Sequence, residues 1–233
     1  MNAEAHNGAG GQPVGGAPRV LFVYYSFTNQ AQRVTEAMTA TLRAEGCEVT
    51  EAAIEFTDER YAKIFNRFPM KHAFWDLVRM LPAQLRRATG EINVPDAAAN
   101  GDYDLVIVGS PTWWLTTCMP IRSYLESPQG QATLSGTRFA SYVVCRRYWG
   151  NNHKTVKRLG TKAGGAWVDG LHFAYEGGQV RSLLSLVSFL GTGENRERFH
   201  GVKIPPTNLK PDFERLSSDF ARGLAASIAQ PAA

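Results

Sequence analysis

The sequence predicts a doubly wound α/β domain built on a five-stranded parallel sheet. Three observations carry that expectation. Short runs that are apolar almost throughout recur along the chain, as in strands buried on both faces. Helical patterns with one apolar face fill the gaps between them. The segments that leave three of the runs are rich in hydroxyl, amide, aromatic and guanidinium groups, and ligands of such sheets bind at the carboxyl ends of the strands.

Taken in order, Met1 to Pro18 ("MNAEAHNGAGGQPVGGAP") holds five glycines and almost nothing apolar. It reads as a disordered tail ahead of one domain over residues 19–233, and it lacks the apolar middle of a signal peptide. Arg19 to Tyr25 ("RVLFVYY") is the first strand. Gln30 to Glu45 is the first helix, with Ala31, Val34, Met38 and Leu42 on one face and Gly46 to end it. Cys47 to Ile54 is a weaker second strand. An aromatic helical insert follows, Arg60 to Arg87, in which Phe74, Leu77, Val78, Leu81 and Leu85 share a face while Phe65, Phe68 and Trp75 add further surface. Its simplest role is to cover the sheet; its sharper one is a lid or a homodimer surface.

Asp102 to Gly109 is the third strand, and Pro120 suits the first turn of a short helix through Leu125. Arg138 to Cys145 is the fourth strand, after which Asn151 or Asn152 can cap a helix carrying Val156 and Leu159. Ala166 to Phe173 is a weaker fifth. The extended C-terminal region begins with Gly177 to Asn208, whose apolar helix Arg181 to Leu190 bears a narrow polar stripe of Ser182, Ser185 and Ser188. This segment too is most simply cover for the sheet, and more sharply a lid or a dimer surface. Pro211 opens a last helix with Phe213, Leu216, Phe220 and Leu224 inside.

Composition narrows the function classes. Cys47, Cys118 and Cys145 lie far apart with no CxxC pair, which speaks against a disulfide framework or structural zinc and fits a reducing compartment. The longest apolar run, Ser182 to Leu190, is about half of a membrane span, so the chain reads as cytoplasmic. The five histidines are scattered, without metal-ligand spacing, and no nucleic-acid motif is present. Net charge is +4 but uneven: Arg60 to Arg87 carries seven Lys or Arg against Asp76 alone, and Ser127 to Val168 carries seven and no acid. Such faces suit anionic groups, or are simply solvated. Cys118 and Cys145 read as packing residues and His153 as a helix-start residue.

Three loops carry the chemistry. "SFTNQ" puts the hydroxyls of Ser26 and Thr28 and the amide of Asn29 where a strand hands over to a helix, whose unpaired N–H groups attract a phosphate. The plainer alternative is helix capping by Thr28 or Asn29. "GSPTWWLTTCMP", Gly109 to Pro120, has adjacent tryptophans that cannot both point into a core, so one of them offers a stacking wall to a flat ligand. "CRRYWGNNH", Cys145 to His153, again joins aromatic rings to donors after a strand.

Together these loops resemble the flavodoxin family, over roughly Arg19 to Phe173. "SFTNQ" is similar to the family's phosphate loop, S-x-T-G-N-T: Ser26 and Thr28 match, Asn29 replaces the glycine, Gln30 the asparagine, and Ala31 the last hydroxyl residue. The resemblance implies a flavodoxin-like sheet of order 2-1-3-4-5 and FMN as cofactor. Ser26, Phe27, Thr28, Asn29, Gln30 and Ala31 would surround its phosphate. Pro111, Thr112, Trp113, Trp114 and Leu115 would flank the isoalloxazine. Cys145, Arg146, Arg147, Tyr148 and Trp149 would form the opposite wall, with Tyr148 stacking and Arg146 or Arg147 near the pyrimidine edge. FMN rather than FAD also fits the absence of a GxGxxG after the first strand. Within the family, the arrangement looks most like the flavodoxin-like proteins found with dialkylresorcinol biosynthesis, which implies a redox, aromatising role.

Three function classes follow. The first is an FMN-dependent oxidoreductase acting on a small organic substrate, aromatic or quinone-like, with NAD(P)H or a reductase as electron donor. The second is an electron carrier of the flavodoxin kind, which the basic charge near the site speaks against because carriers are typically acidic. The third is a flavin-free domain that serves binding or assembly, which the altered phosphate loop keeps open.

Overall fold

The structure is a computed structural model that describes residues 16–65, 67–99 and 101–229. The expected N-terminal tail falls outside them as far as residue 15. Five strands, β1 (Arg19–Tyr24), β2 (Glu48–Ala53), β3 (Leu105–Trp113), β4 (Arg138–Cys145) and β5 (Ala166–Ala174), form a parallel sheet. Their order is β2-β1-β3-β4-β5. The helices in chain order are α1 (Gln30–Ala44), α2 (Glu59–Phe65), α3 (Ala73–Leu85), α4 (Met119–Glu126), α5 (Pro128–Leu134), α6 (Trp149–Lys162), α7 (Gln179–Thr192) and α8 (Phe213–Ala229).

Successive strand residues point to opposite faces of the sheet. In the central strands β1, β3 and β4 both faces are buried, which is why their sequences are nearly unbroken apolar runs, whereas the edge strands β2 and β5 are only partly buried. One face presents Phe22, Ile107, Tyr142 and Val144 to Val34, Met38 and Leu42 of α1 and to Phe213, Ala221 and Leu224 of α8. The other presents Leu21, Val23, Val106, Val108 and Phe139 to Ile121, Tyr124 and Leu125 of α4, Leu134 of α5, and Val156 and Leu159 of α6. Each fully buried aliphatic side chain contributes about 1.5–3 kcal/mol. The helix after β1 packs on one face and the helix after β3 on the other, so the chain's winding reverses between these neighbours. That reversal opens a crevice at their carboxyl ends.

Tyr142 fixes α1 against this crevice. Its hydroxyl donates to the Ala31 carbonyl at 3.0 Å and accepts from the Thr35 hydroxyl at 2.6 Å. Its ring passes Gly109 on the neighbouring strand, where a Cβ would meet the Tyr142 hydroxyl at 2.2 Å. Only glycine fits.

Several elements differ from the sequence reading. Gly109 to Pro120 is not a plain loop: β3 runs on to Trp113, and Thr116–Thr117 returns antiparallel on it. The Thr112–Thr117 and Trp113–Thr116 pairs make a β-hairpin that the Ser110 and Thr117 hydroxyls close at 2.6 Å. Helix α6 starts at Trp149 behind Tyr148, so Asn151 and Asn152 lie in its first turn rather than capping it. Pro211 stands two residues before α8 begins at Phe213.

The largest difference is in the insert. It is two helices, and the face predicted to be buried on α3 is largely turned outward: Phe74 is 47% exposed, Val78 38% and Leu85 58%. The buried face of α3 is instead Ala73, Met80, Ala83 and Gln84, with Leu77 packed near Met70 and Leu190. The insert and α7 pack on each other over the loop ends, not on a sheet face; the Met70 N–H donates to the Leu190 carbonyl at 2.7 Å. Asp58 pins the start of α2 by accepting from the Arg60 and Glu91 N–H groups at 3.0 and 3.1 Å and from the Arg60 guanidinium at 2.6 Å.

Candidate functional site

The first loop leaves β1 at Tyr25 and enters α1 through Asn29, which has φ 60° and ψ 0°. That left-handed state is the one glycine adopts freely, and asparagine is among the side chains that tolerate it best. Asn29 stands at the N-cap position of α1 without a side-chain capping bond; the hydroxyl that takes up a helix-start N–H is that of Ser26, which accepts from Gln32 at 3.1 Å. Thr28 is half-buried beside it.

The second loop is held from below by Asn152. Its amide nitrogen lies 3.2 Å from the Pro111 carbonyl and 3.0 Å from the Thr112 hydroxyl. At the hairpin tip the two indoles part. Trp113 stacks on Phe65 at 4.3 Å and meets Tyr25 edge-on at 5.6 Å. Trp114, at φ 57°, donates its indole N–H to the Leu77 carbonyl at 2.9 Å. One tryptophan thus joins the strand end to α2 and the other to α3.

The third loop turns through Tyr148, at φ 64°. Arg146 donates to the Gln179 side-chain carbonyl at 2.8 Å and to the Ser182 hydroxyl at 3.0 Å, and Arg147 donates to the Gly177 carbonyl. Burial and then the neighbouring Arg147 lower the pKa of Arg146, and no carboxylate pairs with it among the described residues. The serine stripe of α7 is therefore inward-facing: Ser182 meets Arg146, and Ser185 donates to the Pro205 carbonyl at 2.7 Å.

These loops, α3 and α7 enclose a cavity of about 300 Å3 at the β1/β3 crevice. Of the residues singled out in the sequence, Ser26, Phe27, Thr28, Gln30, Ala31, Pro111, Thr112, Trp113, Trp114, Leu115, Cys145, Arg146, Arg147 and Tyr148 line it. Asn29 and Trp149 do not line it. Asn29 shapes the backbone instead, and Trp149 stacks on His172 at 3.8 Å.

Most of the rest of the wall comes from the two segments that the sequence offers as cover or as a lid, although none of its residues was singled out for the site. Met70, Leu77, Met80, Leu183, Leu186 and Leu190 make an apolar roof, with Phe65 and Phe189 beside them. Nothing in their spacing marks them as site residues rather than core. Tyr175 and Asn208 also line the cavity, and both are buried, at 8% and 3% exposure. The Tyr175 hydroxyl and the Asn208 side-chain oxygen have no hydrogen-bond partner among the described residues. Burial raises the pKa of Tyr175, so its hydroxyl stays protonated and available as a donor. A buried polar group left unpaired costs about 1–3 kcal/mol, a penalty that a ligand with matching groups removes.

The thiols are not poised for chemistry. Burial pushes Cys118 and Cys145 each up to about 12. His153 is held by the Ser141 hydroxyl at 2.7 Å from Nδ1 and lowered to about 4, chiefly by burial and then by His172, so it is neutral at pH 7.

A sheet of order 2-1-3-4-5 with its crevice between the first and third strands is the flavodoxin arrangement. The fold is flavodoxin-like. No family model matches the sequence, and no curated protein does. Among solved structures, the chain is similar to a flavodoxin from the domain Archaea at 8% identity, TM-score 0.49, covering 91% of this chain and 99% of that one. Flavodoxin 2 from Bacillus cereus matches at 15% identity, TM-score 0.48, covering 90% and 99%. The rubredoxin oxygen:oxidoreductase of Desulfovibrio gigas matches at 13% identity, TM-score 0.49, over 91% of this chain and 37% of that longer one. The flavodoxin-like sheet thus carries its cavity under a roof supplied by the insert and α7.

Proposed function

We propose that the chain is an FMN-dependent oxidoreductase whose substrate is a small apolar organic molecule, aromatic or quinone-like. The observation that carries this reading is the cavity's division of labour. Helix-start donors at Ser26 and Thr28 suit a phosphate, the Trp114 and Tyr148 segments suit a flat ring, and the apolar roof with unpaired Tyr175 and Asn208 leaves a compartment for an apolar molecule bearing an oxygen. The residues fit FMN, which when bound supplies hydride and electron transfer. The protein's own part is to bind and orient both molecules, exclude water with the α3–α7 roof, and present the Tyr175 hydroxyl as a proton-bearing donor. Electrons would come from NAD(P)H or a reductase. The narrower form of the proposal runs in the opposite direction: a non-aromatic cyclic precursor would be oxidised to a resorcinol ring, its two electrons and two protons passing to the flavin and on to an external electron acceptor in place of NAD(P)H. The roof speaks against a carrier, which needs its redox group open to partner proteins.

A second reading, a flavin-free binding domain, rests on one observation: the Gln32 N–H, one of the helix-start donors a phosphate would use, is already taken by the Ser26 hydroxyl oxygen. The visible spectrum of the purified protein, followed by FMN titration, separates the two. Flavin bands with tight FMN binding, weakened tenfold or more in Ser26→Ala/Thr28→Ala, are expected, since each charge-assisted bond is worth about 1.5–3 kcal/mol. A colourless protein that ignores added FMN leaves the second reading standing. For the FMN-loaded protein, photoreduction followed by stopped-flow mixing with an apolar quinone should give rapid, saturable reoxidation. Oxidation by a redox protein alone would point to a carrier.

A further inference from the structure

We propose that the outward face of α3 docks on an anionic lipid surface, placing the roof of the cavity at the membrane–water boundary. At about 100° per residue, Phe74, Val78, Leu85 and Trp75 fall within about 100° of one another on this helix. That width ordinarily marks the face a helix buries in a core. Here it faces solvent, and Trp75 is 65% exposed. The core is served by the opposite side, Ala73, Met80 and Ala83, so the outward apolar residues are surplus to folding.

Charge chooses the occupant. Arg79 and Arg86 border this face beyond Trp75, and Lys71 precedes it; all three are exposed and none forms an ion pair among the described residues. From Arg60 to Arg87 the single acid is Asp76. Aromatic and aliphatic side chains bordered by unpaired cations are the composition of helices that lie in the plane of a bilayer interface. Such cations are drawn to anionic headgroups. A second copy would instead bring another rim of the same sign into the contact. No helix among the described residues is long and apolar enough to cross a membrane, so attachment would be peripheral. Leu77 and Met80, on the inner side of the same helix, line the cavity, so an apolar molecule dissolved in the bilayer would have one helix to pass.

The test is flotation of the full chain with vesicles of phosphatidylcholine alone or mixed with phosphatidylglycerol, at low and high salt. Binding to the anionic vesicles, lost at high salt and weak on the neutral ones, is expected. Phe74→Ser/Trp75→Ser should weaken it by about tenfold or more, and Arg79→Gln/Arg86→Gln should do likewise. Because the substituted residues are exposed, melting temperature should hold. Absence of anionic-vesicle binding overturns the proposal, as does binding that Phe74→Ser/Trp75→Ser leaves unchanged. Sedimentation of the same samples without vesicles covers the other occupant: a wild-type dimer that becomes monomeric in Phe74→Ser/Trp75→Ser assigns the face to a second copy and overturns the lipid reading. These readouts need no FMN and no turnover, so they stand or fall apart from the enzymatic proposal.

Discussion

Asn29, Trp114 and Tyr148 share a left-handed backbone, at φ 60°, 57° and 64°, one in each loop around the cavity. For asparagine the state is mild, but for tryptophan and tyrosine it is strained by roughly 1–3 kcal/mol, and such strain gathers at ligand clamps. The resemblance to a phosphate loop with glycine at the Asn29 position therefore has a physical basis that the sequence alone left unexplained. Two residue-scale outcomes follow. Gly109→Ala would drive a methyl group into the Tyr142 ring, whose hydroxyl is tied to α1, and should lower stability by about 1–3 kcal/mol by thermal or denaturant unfolding. His153 has a folded pKa of about 4, below the ordinary 6.5. Between those values the unfolded chain binds a proton that the native one does not. Stability should thus fall as pH drops through that window, by at most about 1.4 kcal/mol per unit, and His153→Gln should flatten the slope. An identical slope in the variant would mean that His153 titrates normally.

At the scale of elements, the central strands and α1 follow directly from the apolar pattern, because a strand buried on both faces is apolar almost throughout and a helix buried on one face repeats every 3.6 residues. Helix α3 does not, because two of its sides are apolar and the periodicity cannot say which one the fold uses. Met80 and Ala83 face inward because Met119, Phe65 and Trp113 form a concave seat for them, a partner set assembled from distant segments. The roof itself makes a further prediction. Leu186→Ala trims the cavity wall without touching the phosphate loop. It should raise the KM for an apolar substrate several-fold, since Leu186 is only half-buried and gives up part of an apolar contact, while FMN content is kept. Equal loss of FMN and turnover, together with a lower melting temperature, would make α7 a structural brace only.

At the scale of the whole molecule, charge and burial act together around one cavity. Among the described residues no Asp or Glu lines it, whereas Arg146 and Arg147 do. If the reduced cofactor places negative charge near this edge, the guanidiniums favour it, and bound FMN should be easier to reduce than in an acidic surrounding. Arg146→Gln should make the two-electron potential more negative, on the order of 30 mV for each 1.4 kcal/mol of lost interaction. A spectroelectrochemical titration of both proteins checks the sign. An unchanged potential would leave Arg146 with the role its hydrogen bonds already show, tying the third loop to Gln179 and Ser182 of α7.

The sequence by itself determined the five strands, their alternation with helices, and three loops whose hydroxyl, aromatic and guanidinium groups mark the carboxyl edge. Those are local properties: apolar period, strand-end chemistry and helix stops are written in neighbouring residues. Only the tertiary structure decided that Gly109 to Pro120 folds back as a hairpin and that the Ser26 hydroxyl takes up a helix-start N–H of α1. It alone brought Tyr175 and Asn208, from segments outside the three loops, to the cavity with polar atoms unpaired. It also turned Phe74 and Trp75 to solvent. These outcomes depend on which distant surfaces meet, and an apolar or polar side chain carries no mark of its partner until packing supplies one.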